Sequence, residues 1–340
     1  MKFRHIVAAA ALLAAAGALQ AQEVTLKVHF FLPASSFANT LFIQPWCDKV
    51  AAESNQRIKC QSYPSMQLGG TPPQLYEQVR DGVADVVWTL PGYTAGRFPS
   101  VEVFELPFMM QNPEATSKAL WDYVQTHSQA EFKDVHLLAT HVHGDGVFHL
   151  TGKPVKTMAD LRGLKLRAPT RLTNKFIAML GATPVSMPVP QVGDAMSKGV
   201  IDGAVVPYEV VPSVKLQELS KFHSETDPAE PAFYTSTFIF AMNKAKYDAL
   251  PADLKKVIDA NSGQALSGEI GKAFLKADGI GKRMVNAKDV NVIPASELAS
   301  WKVVGQKLAA DWVTEMNGKG LPGSRMLDDA KALIAKYAKP

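Results

Sequence analysis

Two stretches of this sequence repeat one another: Arg80-Asp81-Gly82-Val83-Ala84-Asp85-Val86-Val87 and Ser197-Lys198-Gly199-Val200-Ile201-Asp202-Gly203-Ala204. In each, a helical pattern ends at a glycine suited to a left-handed cap, and a buried strand is expected to begin at once. A second pair keeps the same order, Leu26-Lys27-Val28-His29 resembling Leu164-Lys165-Leu166-Arg167. One short match is chance. Two in the same order, 117 and 138 residues apart, point to two lobes of similar build.

Around these landmarks apolar strands alternate with amphipathic helices, the pattern of an α/β fold with mainly parallel sheets. Val24–Phe31, Arg57–Tyr63 and Val83–Trp88 read as strands, with helices over Thr40–Ser54 and Pro72–Asp81 between them. The second set reads as strand Leu164–Arg167, helices Thr170–Leu180 and Val189–Lys198, and strand Val200–Val206. The last third is helical: a long stretch from Pro251 to about Asn286, interrupted at Asn261-Ser262-Gly263, then a short strand Asp289–Ile293 and helices Ser296–Met316 and Ser324–Tyr337. The long stretch is expected to run behind both lobes. The lobes divide as 22–146 with about 236–270, and 147–235 with about 271–340.

Residues 1–21 have the layout of a secretory signal peptide. Lys2 and Arg4 form a basic head, Ile6 to Leu19 is an apolar core too short to span a bilayer, and small Ala21 offers a cleavage site, with Ala18 as the alternative. A retained membrane anchor is the lesser reading, because no second apolar span follows. Removing the segment deletes two basic residues and no acidic ones, which takes the formal net charge from +4 to +2. Charge so near neutral, scattered rather than massed, does not suggest nucleic acid. Export also bears on the two cysteines, Cys47 and Cys60. A bridge between them would close a loop of roughly 14 residues and add about 3 kcal/mol, while two buried thiols remain the alternative.

The search for catalytic patterns finds no G-x-S-x-G elbow, phosphate loop, H-E-x-x-H or G-x-G-x-x-G. His141 and His143 fall on one side of an extended segment with Asp145 and His149 nearby, which makes a metal-dependent periplasmic enzyme the rival class. Metal sites need further committed ligands, so no metal and no cofactor are expected. Arg167 carries more weight. Leu164 to Arg167 alternate apolar with basic, and Pro169 ends the ladder, so Arg167 stands at a strand tip. Ligands of open α/β sheets bind at those tips, which favours a guanidinium placed to receive an anion over a solvated charge. Aromatic residues also gather at strand ends and loop starts: Phe30, Phe31, Trp88, Tyr93, Phe148, Tyr208, Phe233 and Tyr234. A cleft so lined would hold an apolar body while one guanidinium grips a carboxylate.

Several segments together then resemble a known family: YPSMQLGG (63–70), LYEQVRDGVADVVW (75–88), FPSVEVFELPFM (98–109), LRGLKLRAP (161–169), KGVIDGAVVP (198–207) and MNKAKYDALPADLKKVI (242–258). The chain is similar to the DctP-like extracytoplasmic solute-binding subunits of tripartite ATP-independent periplasmic (TRAP) transporters. The resemblance implies a two-lobed periplasmic-binding-protein-like fold with a long helix spanning both lobes. It also implies that the lobes close on an organic acid and that the closed form docks on membrane permease subunits. The arginine of the family's G-x-K-x-R strand falls on Arg167. Two departures bear on the ligand. Phe148 stands where sialic-acid-type members carry a second arginine, and Val206 stands at the asparagine of their DGQENP stretch. The expected ligand is therefore a monocarboxylate with a hydrophobic or aromatic body, such as a 2-oxo or 2-hydroxy acid. Arg167 would take the carboxylate, Phe31, Trp88 and Phe148 would wall the remainder, and Tyr208 and Phe233 would complete the pocket or the hinge side. C4-dicarboxylates and sugar acids are the alternative; burying their extra polar groups unpaired would cost on the order of 1–3 kcal/mol each. Transport and delivery to a sensory receptor use the same closed form and stay open at this stage.

Overall fold

The computed structural model describes residues 23–338, so the signal segment expected over 1–21 lies outside the described residues. Among the described residues eleven strands form two sheets: β1 Val24–Phe30, β2 Ile58–Tyr63, β3 Val86–Thr89, β4 Val135–Val142, β5 Val147–Leu150, β6 Lys165–Ala168, β7 Thr183–Ser186, β8 Gly203–Val206, β9 Phe222–Thr226, β10 Thr237–Asn243 and β11 Val290–Ile293. The first sheet runs β2-β1-β3-β10-β4 and the second β11-β9-β5-β8-β6-β7. Read from β7, the second sheet repeats the first, with β11 added at its far edge. Strands β1 and β6, each next to an edge, have parallel partners on both sides, and β10 and β5 enter antiparallel at matching places. The molecule is two-lobed.

The repeated sequence is repeated chemistry. Asp85 Oδ2 accepts from Lys27 N at 2.8 Å while Asp85 N donates to Lys27 O at 3.0 Å. Asp202 Oδ2 accepts from Lys165 N at 2.7 Å, and Asp202 N donates to Lys165 O at 2.8 Å. Each aspartate thus clips one strand to the next just before pairing starts. Gly82 and Gly199 adopt left-handed φ of 78° and 67°, as expected of the caps. The strands after them begin later than expected, at Val86 and Gly203. Val83 and Val200, at 45% and 50% exposure, belong to the turn that brings the aspartate round.

The chain crosses between lobes four times: after β4, after β9, along a helix, and again into the final helix. The helical stretch breaks at Asn261–Ser262, giving helices Ala252–Ala260 and Gly263–Lys282. The second packs on helix Pro113–Tyr123 and β4 of the first lobe, and on the 3-10 segment Tyr208–Val214 of the second. Glycines permit both contacts. A Cβ at Gly271 would collide with Pro113 O, and one at Gly281 with Tyr208 O. Helix Ala295–Gly318 packs on Arg171–Met179 of the second lobe. The final helix, Gly323–Ala338, corrects the sequence reading that gave it to the second lobe, because it packs on Pro113–Tyr123 of the first. None of the described helices is long and apolar enough to cross a membrane.

Cys47 and Cys60 form a disulfide with Cα atoms 5.7 Å apart, tying helix Gln44–Glu53 to β2.

Candidate functional site between the lobes

Strand β6 ends at Ala168 and delivers Arg167 to the seam between the lobes, where it is only 2% exposed. Two of its donors are engaged: Nε donates to Met187 O at 3.0 Å and Nη1 to Val205 O at 3.2 Å. These bonds fix the plane of the guanidinium against the second sheet. Arg167 lines a small cavity between the lobes.

The first lobe and the hinge supply an aromatic wall. Phe31 stacks on Trp88 at 4.8 Å, Trp88 stacks on Phe238 at 5.0 Å, and Tyr93 meets Phe31 edge-on at 5.8 Å. All four line the cavity, as does Tyr234. Val189, Val206 and Val210 close it from the second lobe. Tyr93 also fastens the seam, since its hydroxyl accepts from Val189 N at 3.0 Å.

Polar groups here are few. His143 lines the cavity but is spoken for: Nδ1–H donates to Gly144 O at 2.6 Å and Nε2 accepts from Ser236 N at 3.1 Å. His141 lies behind Trp88, with Nδ1–H donating to Val142 O at 3.1 Å and Nε2 accepting from Trp88 Nε1 at 2.8 Å. Burial lowers both imidazoles to about 3, so both are neutral near pH 7. With every ring nitrogen committed, neither histidine offers a lone pair to a metal. Among the described residues no group of three or more metal-ligating side chains is assembled. The remaining polar lining residue is Glu209, 3% exposed, whose Oε2 has no hydrogen-bond partner among the described residues. Burial, and the Asp278 carboxyl beside it, hold its carboxyl well above the ordinary range.

Of the residues anticipated from sequence, Arg167, Phe31 and Trp88 meet at this cavity, and three others are placed elsewhere. Phe148 is fully buried on the face of β5 covered by helix Ala295–Gly318. It stacks on Phe233 at 4.7 Å, and Trp301 meets both rings edge-on. Phe148 and Phe233 are core of the second lobe. Tyr208 turns its ring edge to His149 at 5.5 Å and donates from its hydroxyl to Glu225 Oε2 at 3.1 Å, away from the cavity. His29, the strand-tip counterpart of Arg167, is buried beneath Leu68 and does not line the cavity. Sequence reasoning missed Phe238 and Glu209. Glu209 had a signal: it is the lone charge in the apolar run Ala204 to Pro212.

Comparison with known proteins places this geometry. The model for bacterial extracellular solute-binding proteins, family 7, matches residues 32–315. The chain belongs to this family. Members are extracytoplasmic, and in TRAP transporters they bind small carboxylates and deliver them to membrane permease subunits. A TRAP solute-binding protein from Rhodoferax ferrireducens T118, solved with copurified benzoate, is 53% identical with a TM-score of 0.91 over 93% of this chain and 98% of that one. A marine-metagenome TRAP protein described as specific for aromatic acids, solved with 3-hydroxybenzoate, is 47% identical with a TM-score of 0.90 over 94% of this chain and 100% of that one. A family member from Bordetella bronchiseptica, solved with both enantiomers of mandelate, is 25% identical with a TM-score of 0.85 over 92% of this chain and 99% of that one.

Proposed function

We propose that this TRAP-type binding protein captures an aromatic monocarboxylate and releases it, chemically unchanged, to its permease. The observation that carries the reading is one buried guanidinium at a cavity walled mainly by aromatic and aliphatic side chains, with the neutral His143 ring and the Glu209 carboxyl as the other polar lining. Arg167 grips the carboxylate in charge-assisted hydrogen bonds, and Phe31 and Trp88 hold the ring. Exclusion of water between the lobes strengthens the ion pair. The benzoate and 3-hydroxybenzoate held by relatives at 53% and 47% identity support the aromatic body, and the mandelate of the more distant relative is a 2-hydroxy acid. On this reading the work is done in the periplasm, with residues 1–21 serving as the export signal.

A C4-dicarboxylate or sugar acid fits less well. Its second acidic end would meet mostly apolar lining such as Val206 and Phe238, with no second cationic side chain among the lining residues to pair it. Titration calorimetry with benzoate, benzamide and succinate tests the reading. Benzamide keeps the shape and loses the charge. Benzoate is expected to bind more than tenfold more tightly than benzamide, with no measurable heat from succinate; equal binding of benzoate and benzamide would overturn the carboxylate grip.

A further inference from the structure

Glu209 has no duty in the account so far. It stands in the 3-10 segment Tyr208–Val214, stiffened by Pro207 before it and Pro212 within it. Its backbone N donates to Asp278 Oδ1 at 2.8 Å, and Asp278 sits on the helix that joins both lobes. The carboxyl is therefore held in place from behind. In front it faces the cavity, with one oxygen sealed from solvent and unpaired among the described residues. Leaving such a group unmatched opposes folding, so its retention at a cavity wall points to a partner that arrives with the ligand. Arg167 is not that partner, since its side-chain hydrogen bonds run to Met187 O and Val205 O and none among the described residues joins it to Glu209. Two polar groups on one apolar chamber, unpaired with each other, mark two ends of a guest.

We infer that Glu209 is a specificity-determining residue that pairs with a hydroxyl on the ring of the bound aromatic acid, so that hydroxyaryl carboxylates are favoured over the unsubstituted acid. The inference rests on the reading of the cavity as an aromatic-carboxylate site. A hydroxyl suits this group better than an ammonium. Glu209 is buried beside a second acid, Asp278, whose carboxyl burial raises to about 8, and a neutral carboxyl both accepts from and donates to a hydroxyl. An ammonium would demand an ionised partner in that place.

The test compares dissociation constants for benzoate, the three monohydroxybenzoates and 3-(aminomethyl)benzoate in the full-length mature protein, Glu209→Leu and Glu209→Gln. In the wild type at least one hydroxybenzoate is expected to bind about tenfold or more tightly than benzoate. In Glu209→Leu that ratio should fall to near one. Glu209→Gln, close in shape and still an acceptor, should keep a several-fold preference, which guards against a Leu variant that fails to fold. No preference in the wild type, an unchanged ratio in Glu209→Leu, or tightest binding of the ammonium compound would each overturn the inference. The two readings fail differently. If benzoate binds and depends on its charge while Glu209 moves no ratio, only this inference falls; if no aromatic acid binds, both do.

Discussion

Nε and Nη1 of Arg167 hold Met187 O and Val205 O, so the side chain that is proposed to receive the ligand also ties the end of β6 to its neighbours. Arg167→Ala would remove the anion grip and leave two buried carbonyls without donors. The expected result is loss of measurable benzoate binding together with a destabilised ligand-free protein, by about 1–3 kcal/mol in chemical denaturation. From sequence alone, strand-tip anchor and anion receptor look like alternatives, and an unchanged ligand-free midpoint would separate them. The hydrogen bonds make them one residue's joint roles, so an unchanged midpoint would count against the geometry described. That Arg167 lines the cavity was legible from strand alternation and a terminating proline, and that Phe31 and Trp88 do from their places at strand ends, because these are local signals. Phe148 and Phe233 were not, because choosing the core face of a strand from the cleft face requires knowing where helix Ala295–Gly318 lies. Tyr234, the next residue, took the cavity that Phe233 was expected to fill.

Helix Gly263–Lys282 shows how a whole element sets the site. Its Gly281 lies against Tyr208 O, and its Asp278 holds Glu209 N, so the helix docks under the segment that carries Glu209 and Val210 to the cavity. Intrinsic propensity says that glycine inside a helix should lose to alanine by about 1 kcal/mol. Contact says the reverse, since an added Cβ would strike a backbone carbonyl that has no room to retreat. Gly281→Ala is therefore expected to lower the thermal midpoint and to weaken acid binding; a raised midpoint would show that the helix is not seated this closely. At this scale much was legible. The paired Gly and Asp landmarks located the matching turns in both lobes, and the break at Asn261–Ser262 fell where the small polar residues suggested. What escaped were the true strand starts, set by Asp85 and Asp202 folding back on Lys27 and Lys165. The π-helical turn over Asn39–Ile43, before Gln44–Glu53, also escaped, because nothing in its composition departs from an ordinary helix. The disulfide was an open alternative in sequence, since spacing alone cannot bring two cysteines within reach.

Across the whole molecule, the proposed binding depends on two halves meeting. The first lobe brings Phe31, Trp88 and Tyr93; the second brings Arg167, Val189 and Glu209, and Tyr93 already bonds across the seam to Val189. The doubled fold was legible because duplication leaves its mark on sequence. The crossed strands were harder: β10 joins the first sheet after the chain has built most of the second, a long-range pairing that no local pattern announces. The ownership of the final helix failed for the same reason. A crystal structure of the mature protein with benzoate tests the central claim most directly. It is expected to show the carboxylate within hydrogen-bond distance of the Arg167 guanidinium, the ring against Phe31 and Trp88, and both lobes closed over it. Benzoate seated elsewhere, or its carboxylate turned to solvent with Arg167 bonded only to Met187 and Val205, would contradict it.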